Sequence, residues 1–285
     1  MSTQEPERIT LDRKAVVVTG AGRGLGRAYA LALAKRGASV VVNDIDADAA
    51  AEVAKEIAAL GPAVSVHTAS VAEPAGAASL VQQCVGEFGS IDGLVNNAGV
   101  LWQGPSWEIS DDWVDRMLSV NIAATIHCGH AAIREMLRQP QGGSIVNVTS
   151  GTHLGSSGLS VYGATKGAVA SLTYGWALEL WDGPIRVNAI SPLAITPMKL
   201  PPYDGHARPE DIAEAVCYLV SDRSARLRGQ IVRRSHDEVG VISHPRIGAM
   251  ARGEWTVESI AAYFDGPGAG SFDAVGYGSA ARTGE

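Results

Sequence analysis

Cysteine is scarce in this chain. Cys84, Cys128 and Cys217 are far apart and form no CxxC pair. That argues against a disulfide framework or a cysteine zinc site and fits a reducing, cytoplasmic location. Long hydrophobic runs are lacking too: no stretch of eighteen apolar residues occurs, so no membrane span is expected. The opening MSTQEPERITLDRK is polar and carries both charges, unlike a secretory signal. Positive charge is in deficit, with 23 Lys plus Arg against 30 Asp plus Glu and a net charge of −7. Nucleic acid is therefore not an expected partner, and the densest basic stretch, RSARLRGQIVRR at 223–234, reads as surface. The seven histidines show no HExxH spacing, and His127 with His130 reads as helix surface or core. No metal site is expected.

What is present is a globular composition, 46% hydrophobic and 19% charged over 285 residues, ample for a large core. Short β-branched runs alternate with longer helix-period runs. KAVVVTG (14–20) and ASVVVND (38–44) lack a polar face and predict strands buried on both sides. Between them a helix is expected from Gly24 to Arg36, ended by Gly37. ADAAAEVAKEIAAL places Val53, Ile57 and Leu60 on one helical stripe, stopped by Gly61. Further helices are expected near 110–138, 159–181 and in RPEDIAEAVCYLVS, with strands in AVSVHTA, IDGLVNNAG, GSIVNVTS, IRVNAIS and GQIVRR. This alternation predicts an α/β fold: a doubly wound parallel sheet of about seven strands with helices on both faces. One domain is expected over residues 1–240, residues 1–12 forming an arm. Residues 241–285 change to a Gly-, Ala- and Ser-rich composition with one helical patch, TVESIAAYF. They read as an extension packed on the domain and partly flexible.

The loop TGAGRGLG (19–26) follows the first strand and opens the first helix. Its glycines allow unusual dihedrals and close approach to bare backbone, and the free N–H groups at the helix start suit a pyrophosphate. Asp44 ends the second strand about twenty residues on. A carboxylate there suits ribose hydroxyls and repels a 2′-phosphate, which favours NAD over NADP. Arg23 inside the loop pulls the other way, because it can pair with a phosphate. In SVYGATKGAVASL, Tyr162 and Lys166 stand four apart, on one helical face. A buried tyrosine with a hydrogen-bond partner and a solvated lysine would be the plain explanation of that pair taken alone.

TGAGRGLG, NNAG (96–99), NVTS (147–150) and YGATK (162–166) occur together in this order. Over residues 10–235 the chain thereby resembles the classical short-chain dehydrogenase/reductase family. Its first part also resembles the hydroxyacyl-CoA dehydrogenase portion of peroxisomal multifunctional enzymes. The resemblance implies an NAD-dependent hydride transfer between nicotinamide and a secondary alcohol or ketone, on a Rossmann-type fold. It makes Tyr162 the acid/base and has Lys166 lower its pKa and bind the nicotinamide ribose. Ser150 would hold the substrate oxygen, and Asn121 would support a proton relay to Lys166. Gly20, Arg23, Gly24, Leu25 and Gly26 would cradle the pyrophosphate, with Asp44 on the ribose. Ser70 and Val71 would contact the adenine, and Asn97, Ala98 and Gly99 would line the adenosine side. Pro192, Ile195 and Thr196 would close over the carboxamide. A homo-oligomer, dimer or tetramer, follows by analogy, with a small alcohol or ketone as partner.

The chain departs from the family at four places. Ser150 lies twelve residues before Tyr162, where the family usually has thirteen, the separation that Thr149 keeps. Ser70 stands where an aspartate is common. Pro192 is followed by Leu193, not glycine, and leads into a short, proline-rich lid segment. The long ending replaces a short glycine-rich one and is expected to cover the pocket, in its own subunit or a neighbour's. Trp102, Trp107, Leu154 and Met198 are apolar candidates for that pocket or for ordinary core. A catalytically idle NAD-binding sensor or scaffold is the other reading, against which intact Asn121, Ser150, Tyr162 and Lys166 argue.

Overall fold

The fold follows from runs of valine that have no wet side. In the computed structural model, which describes residues 8–194, 207–248, 250–266, 268 and 276, β1 (Ala15–Thr19) and β2 (Ser39–Asn43) pair in parallel, with Val16, Val17 and Val18 fully buried. Each such side chain is worth roughly 1.5–3 kcal/mol relative to exposure. The other strands are β3 (Val64–His67), β4 (Gly93–Asn96), β5 (Gly143–Val148), β6 (Ile185–Pro192), β7 (Ile231–Arg234) and β8 (Val239–Ile242). Their order across the sheet is β3-β2-β1-β4-β5-β6-β7-β8. Seven strands run parallel, as expected. Among the described residues there is an eighth, consistent with the expected sheet of about seven, antiparallel to β7 and joined to it by a tight turn in which Ser235 N–H donates to the Glu238 carbonyl.

Alternate side chains of the strands feed two cores. One face packs under α1 (Gly24–Lys35), α2 (Ala47–Leu60) and α7 (Pro209–Val220), and includes Val16, Val42, Val146 and Ile190. The other packs under α3 (Pro74–Phe88), α5 (Ala124–Met136) and α6 (Ser160–Glu179), and includes Val17, Leu94, Ile145 and Val187. In α2, Val53 and Ile57 are buried, but Leu60, expected on the same stripe, is 45% exposed at the helix end beside Gly61, whose φ is +103°. Leu11 of the N-terminal arm is buried, and its N–H donates to the Arg36 carbonyl.

The long helix expected over 110–138 is present as one uninterrupted helical run with a π-helical turn inside it. It comprises α4 (Asp111–Met117), a π-helical turn over Leu118–Ala123, and α5. Such turns are frequent at functional sites, and this one carries the buried Asn121. In the extension, α8 (Val257–Asp265) is closed by a capping box between Thr256 and Ser259. It buries none of its residues in this chain.

The chain reverses direction across the sheet between β1 and β4: the connection that leaves β1, through α1, lies on one face, and the one that leaves β4, through α5, on the other. In an open α/β sheet, that reversal point opens a crevice at the strands' carboxyl ends.

Candidate active site

The crevice holds a cleft of about 470 Å³, lined by the glycine loop, the ends of β2 and β3, and the segment after β4. Gly20 (φ +61°) and Gly24 (φ +54°) adopt the left-handed backbone that favours glycine. A Cβ on Gly20 would stand 2.9 Å from Ala98 Cα. Asn97 locks the loop from the side: its Nδ2 donates to the carbonyls of Thr19 and Gly20 at 2.9 and 3.0 Å. The Thr19 hydroxyl accepts the N–H groups of Asn97 and Ala98, both at 3.0 Å.

Asp44 is buried at the rim, and backbone donors hold both its oxygens. Gly22 N–H donates to Oδ2 at 2.9 Å and Asp46 N–H to Oδ1 at 3.1 Å. The carboxylate is thus fixed in place, oriented beside the loop. Arg23 turns its guanidinium to Asp46, with which it pairs. The expected cofactor residues from Gly20 through Gly99 all line the cleft, together with Asn43, Ile45, Ala72, Val100, Arg116 and Val120, which the sequence reading did not single out. Arg116 and Val120 were detectable in principle, being one helical turn apart on the helix that carries Asn121. The bare glycine loop, the free volume and the fixed carboxylate fit a dinucleotide.

At the Gly99 end the cleft meets the Tyr–Lys helix: a Cβ on Gly99 would stand 3.3 Å from Asn121 Oδ1 and 3.6 Å from Lys166 Nζ. Lys166 is buried, and its ammonium donates to the Val148 carbonyl at 2.8 Å. Burial pushes it down to about 8. Its Nζ lies 5.7 Å from the Tyr162 ring centroid. Tyr162 is 8% exposed, and burial pushes its phenol up to about 12, with the Ser150 hydroxyl acting in the opposite direction. The Lys166 ammonium does not enter that balance in this arrangement. The ammonium is directed at a backbone carbonyl, and desolvation dominates the phenol.

Ser150 sits at the end of β5, capping a short 3₁₀ turn, and its Oγ accepts the Thr152 N–H at 3.3 Å. Thr149 points elsewhere: it is buried, and its hydroxyl donates to the Lys166 carbonyl at 2.8 Å. Of the two hydroxyls, that of Thr149 is thus committed to the backbone of α6 and that of Ser150 is not. Asn121 is fully buried and clasps the strand-end segment, with Val100 N–H donating to Oδ1 at 2.8 Å and Nδ2 donating to the Val100 carbonyl at 3.0 Å. Its Nδ2 also reaches Thr165 Oγ1 at 3.0 Å. Asn121 therefore ties the cleft wall to the helix of Tyr162 and Lys166.

Pro192 ends β6, opposite Arg234 in register. Ile195, Thr196 and Met198 lie outside the described residues. Trp107 is 84% and Leu154 42% exposed, so neither is core. Leu154 instead lines a shallow second depression with Gly151, Arg233 and strand β8. The beginning of the extension thus borders the loop that follows Ser150.

Comparison with known proteins agrees with this geometry. The family model for short chain dehydrogenases matches residues 14–201. The chain is 37% identical over 231 residues to a cyclohexanol dehydrogenase of Acinetobacter, covering 76% of this chain and 92% of that one. The crystal structure of a short chain dehydrogenase from Mycobacterium avium superposes with a TM-score of 0.84 at 30% identity, covering 97% of this chain and all of the other. A short chain dehydrogenase from Burkholderia cenocepacia in complex with NADP superposes at 0.73 and 31% identity, covering 79% of this chain and 97% of that one. From these matches and its Rossmann-type sheet, the chain belongs to the short-chain dehydrogenase family of oxidoreductases.

Proposed function

We propose that the protein is an NAD-dependent dehydrogenase or reductase acting on a secondary alcohol or ketone, with Tyr162, Ser150, Lys166 and Asn121 as its working residues. The observation that carries this reading is the buried pair Tyr162 and Lys166, with Nζ 5.7 Å from the phenol ring centroid, at the Gly99 end of a cleft that fits a dinucleotide. When bound, the nicotinamide supplies the hydride chemistry. The chain supplies placement and a proton. In reduction, the Tyr162 phenol donates its proton to the substrate oxygen, which Ser150 Oγ steadies by a second hydrogen bond. With its phenol held high, Tyr162 is protonated through the neutral range and ready as an acid. In the reverse direction it accepts the alcohol proton as phenolate, so oxidation is favoured by alkali. Lys166 holds the ribose that fixes the nicotinamide, and Asn121 keeps the wall at Val100 in register with the helix of Lys166.

NAD is preferred over NADP in this reading because Asp44 presents a fixed carboxylate where a 2′-phosphate would have to lie, an unfavourable contact. We further propose a cytoplasmic homo-oligomer, and residues 1–240 as the dehydrogenase domain with 241–285 as its extension. A fluorescence titration with NADH and, separately, NADPH tests the cofactor. Tighter NADH binding is expected, whereas tighter NADPH binding overturns the role given to Asp44. Tyr162→Phe is expected to bind NADH normally and to turn nothing over; an active Tyr162→Phe enzyme removes the proposed acid.

A further inference from the structure

Two acidic residues from the turn after β2 are fastened to two consecutive residues of the glycine loop. Asp44 receives the Gly22 N–H, and Asp46 pairs with the guanidinium of the adjacent Arg23. Asp46 divides its oxygens: Oδ1 caps α2 by accepting the Ala49 N–H at 3.1 Å, and Oδ2 takes Arg23. The next cation along α1, Arg27, is held by Glu56 of α2 in the same way. Both cations that α1 presents toward α2 are thus neutralised from that helix or its cap.

We infer that Asp46 is a second determinant of cofactor specificity, acting by holding Arg23 away from a 2′-phosphate. The inference rests on the dinucleotide reading of the cleft. A 2′-phosphate brings about two negative charges and needs a cation beside it. Arg23 lines the cleft and is the cation within the glycine loop itself. Its pair with Asp46 is on the surface, the two side chains being 62% and 43% exposed, so little free energy holds it and little is lost on releasing it. Asp44 sets the preference for a ribose hydroxyl; Asp46 removes the one group in the loop able to offset the charge of a phosphate.

Asp46→Asn tests this, because an asparagine oxygen still caps α2 while the charge on Arg23 is set free. Asp46→Ser is a second variant that also retains a capping oxygen. Binding of NADH and of NADPH is measured by fluorescence for the wild type, both variants and the double variant Arg23→Ala/Asp46→Asn. In Asp46→Asn the ratio of NADPH to NADH dissociation constants is expected to fall about fivefold, the upper range for an exposed pair, with NADH affinity nearly unchanged. The gain is expected to vanish in the double variant. An unchanged ratio in both single variants, or a gain that persists without Arg23, overturns the inference. A wild type that prefers NADPH overturns the Asp44 reading alone, since the shift on neutralising Asp46 still decides this one. A wild type that binds neither overturns both.

Discussion

The Thr149 hydroxyl and the Lys166 backbone carbonyl are joined at 2.8 Å, and the Lys166 ammonium returns a bond of the same length to Val148. The end of β5 and the second turn of α6 are therefore stitched together twice. This commits Thr149 to structure and leaves Ser150 for chemistry, although Thr149 has the family's usual separation from Tyr162. Ser150→Ala is expected to lower kcat by about 100-fold or more, as for loss of a transition-state hydrogen bond donor, with NADH binding intact. Thr149→Ser is expected to stay active, and Thr149→Ala to lose about 0.5–1.5 kcal/mol of stability, the net worth of one hydrogen bond, since the Lys166 carbonyl keeps its partner within α6. The reverse pattern in steady-state kinetics would assign the substrate oxygen to Thr149.

Asn97 acts on the glycine loop. Its carboxamide closes the turn at Thr19 and Gly20, and a Cβ on Gly26 would run into both the Gly20 carbonyl and this amide. Asn97→Ala leaves two loop carbonyls short of a donor and the loop less fixed. NADH affinity is expected to fall about tenfold, the cost of one or two such bonds, while the Michaelis constant for the alcohol changes little. Calorimetric titration with NADH reads the first directly, and an unaltered dissociation constant would make the clamp irrelevant to binding.

The extension offers a test of what the fold needs. β8 belongs to the sheet: Ile242 packs on Ala170, Ala189 and Ile231, and the ring of His244 lies 4.5 Å from that of Tyr174. Beyond it, Ile247, Met250 and Val257 are each more than three-quarters exposed, and α8 buries nothing. A chain ending at Arg246 is therefore expected to keep its thermal midpoint within about 2 °C and its NADH affinity unchanged. A marked drop in either would show that α8 is integral to the body.

Much of this was legible in the sequence, for a physical reason. The valine runs of β1 and β2 and the glycines that end helices act locally, so they can be read without the fold. The glycine loop, Asp44 and the Tyr162–Lys166 spacing were readable in the same way. What escaped depends on distant partners. The π-helical turn at Asn121 is set by its bonds to Val100 and Thr165. The pairing of Arg23 with Asp46 joins residues twenty-three apart. β8 carries too short and too exposed a pattern to announce itself as a strand. The choice between Ser150 and Thr149 turned on which hydroxyl faces α6, which spacing alone could not decide.

Lys166 makes the site measurable through stability. Folding lowers its pKa to about 8 from an ordinary value near 10.5. Between those values the unfolded chain holds a proton that the folded one has released, so this residue's contribution to stability rises with pH. Its cost is full below about 8 and gone above about 10.5. Other groups oppose it in the same range: burial pushes Cys84, Cys128 and Cys217 each up to about 12, and Tyr162 likewise. These lose stability as pH rises, but they are common to the wild type and to Lys166→Met and cancel in the difference. The stability advantage of Lys166→Met over the wild type is therefore expected to shrink between pH 8 and 10.5, by an amount on the order of 3 kcal/mol. Urea unfolding of both proteins across that range measures it. A difference that stays constant with pH would mean that Lys166 folds with its ordinary affinity for protons, and that burial does not tune it.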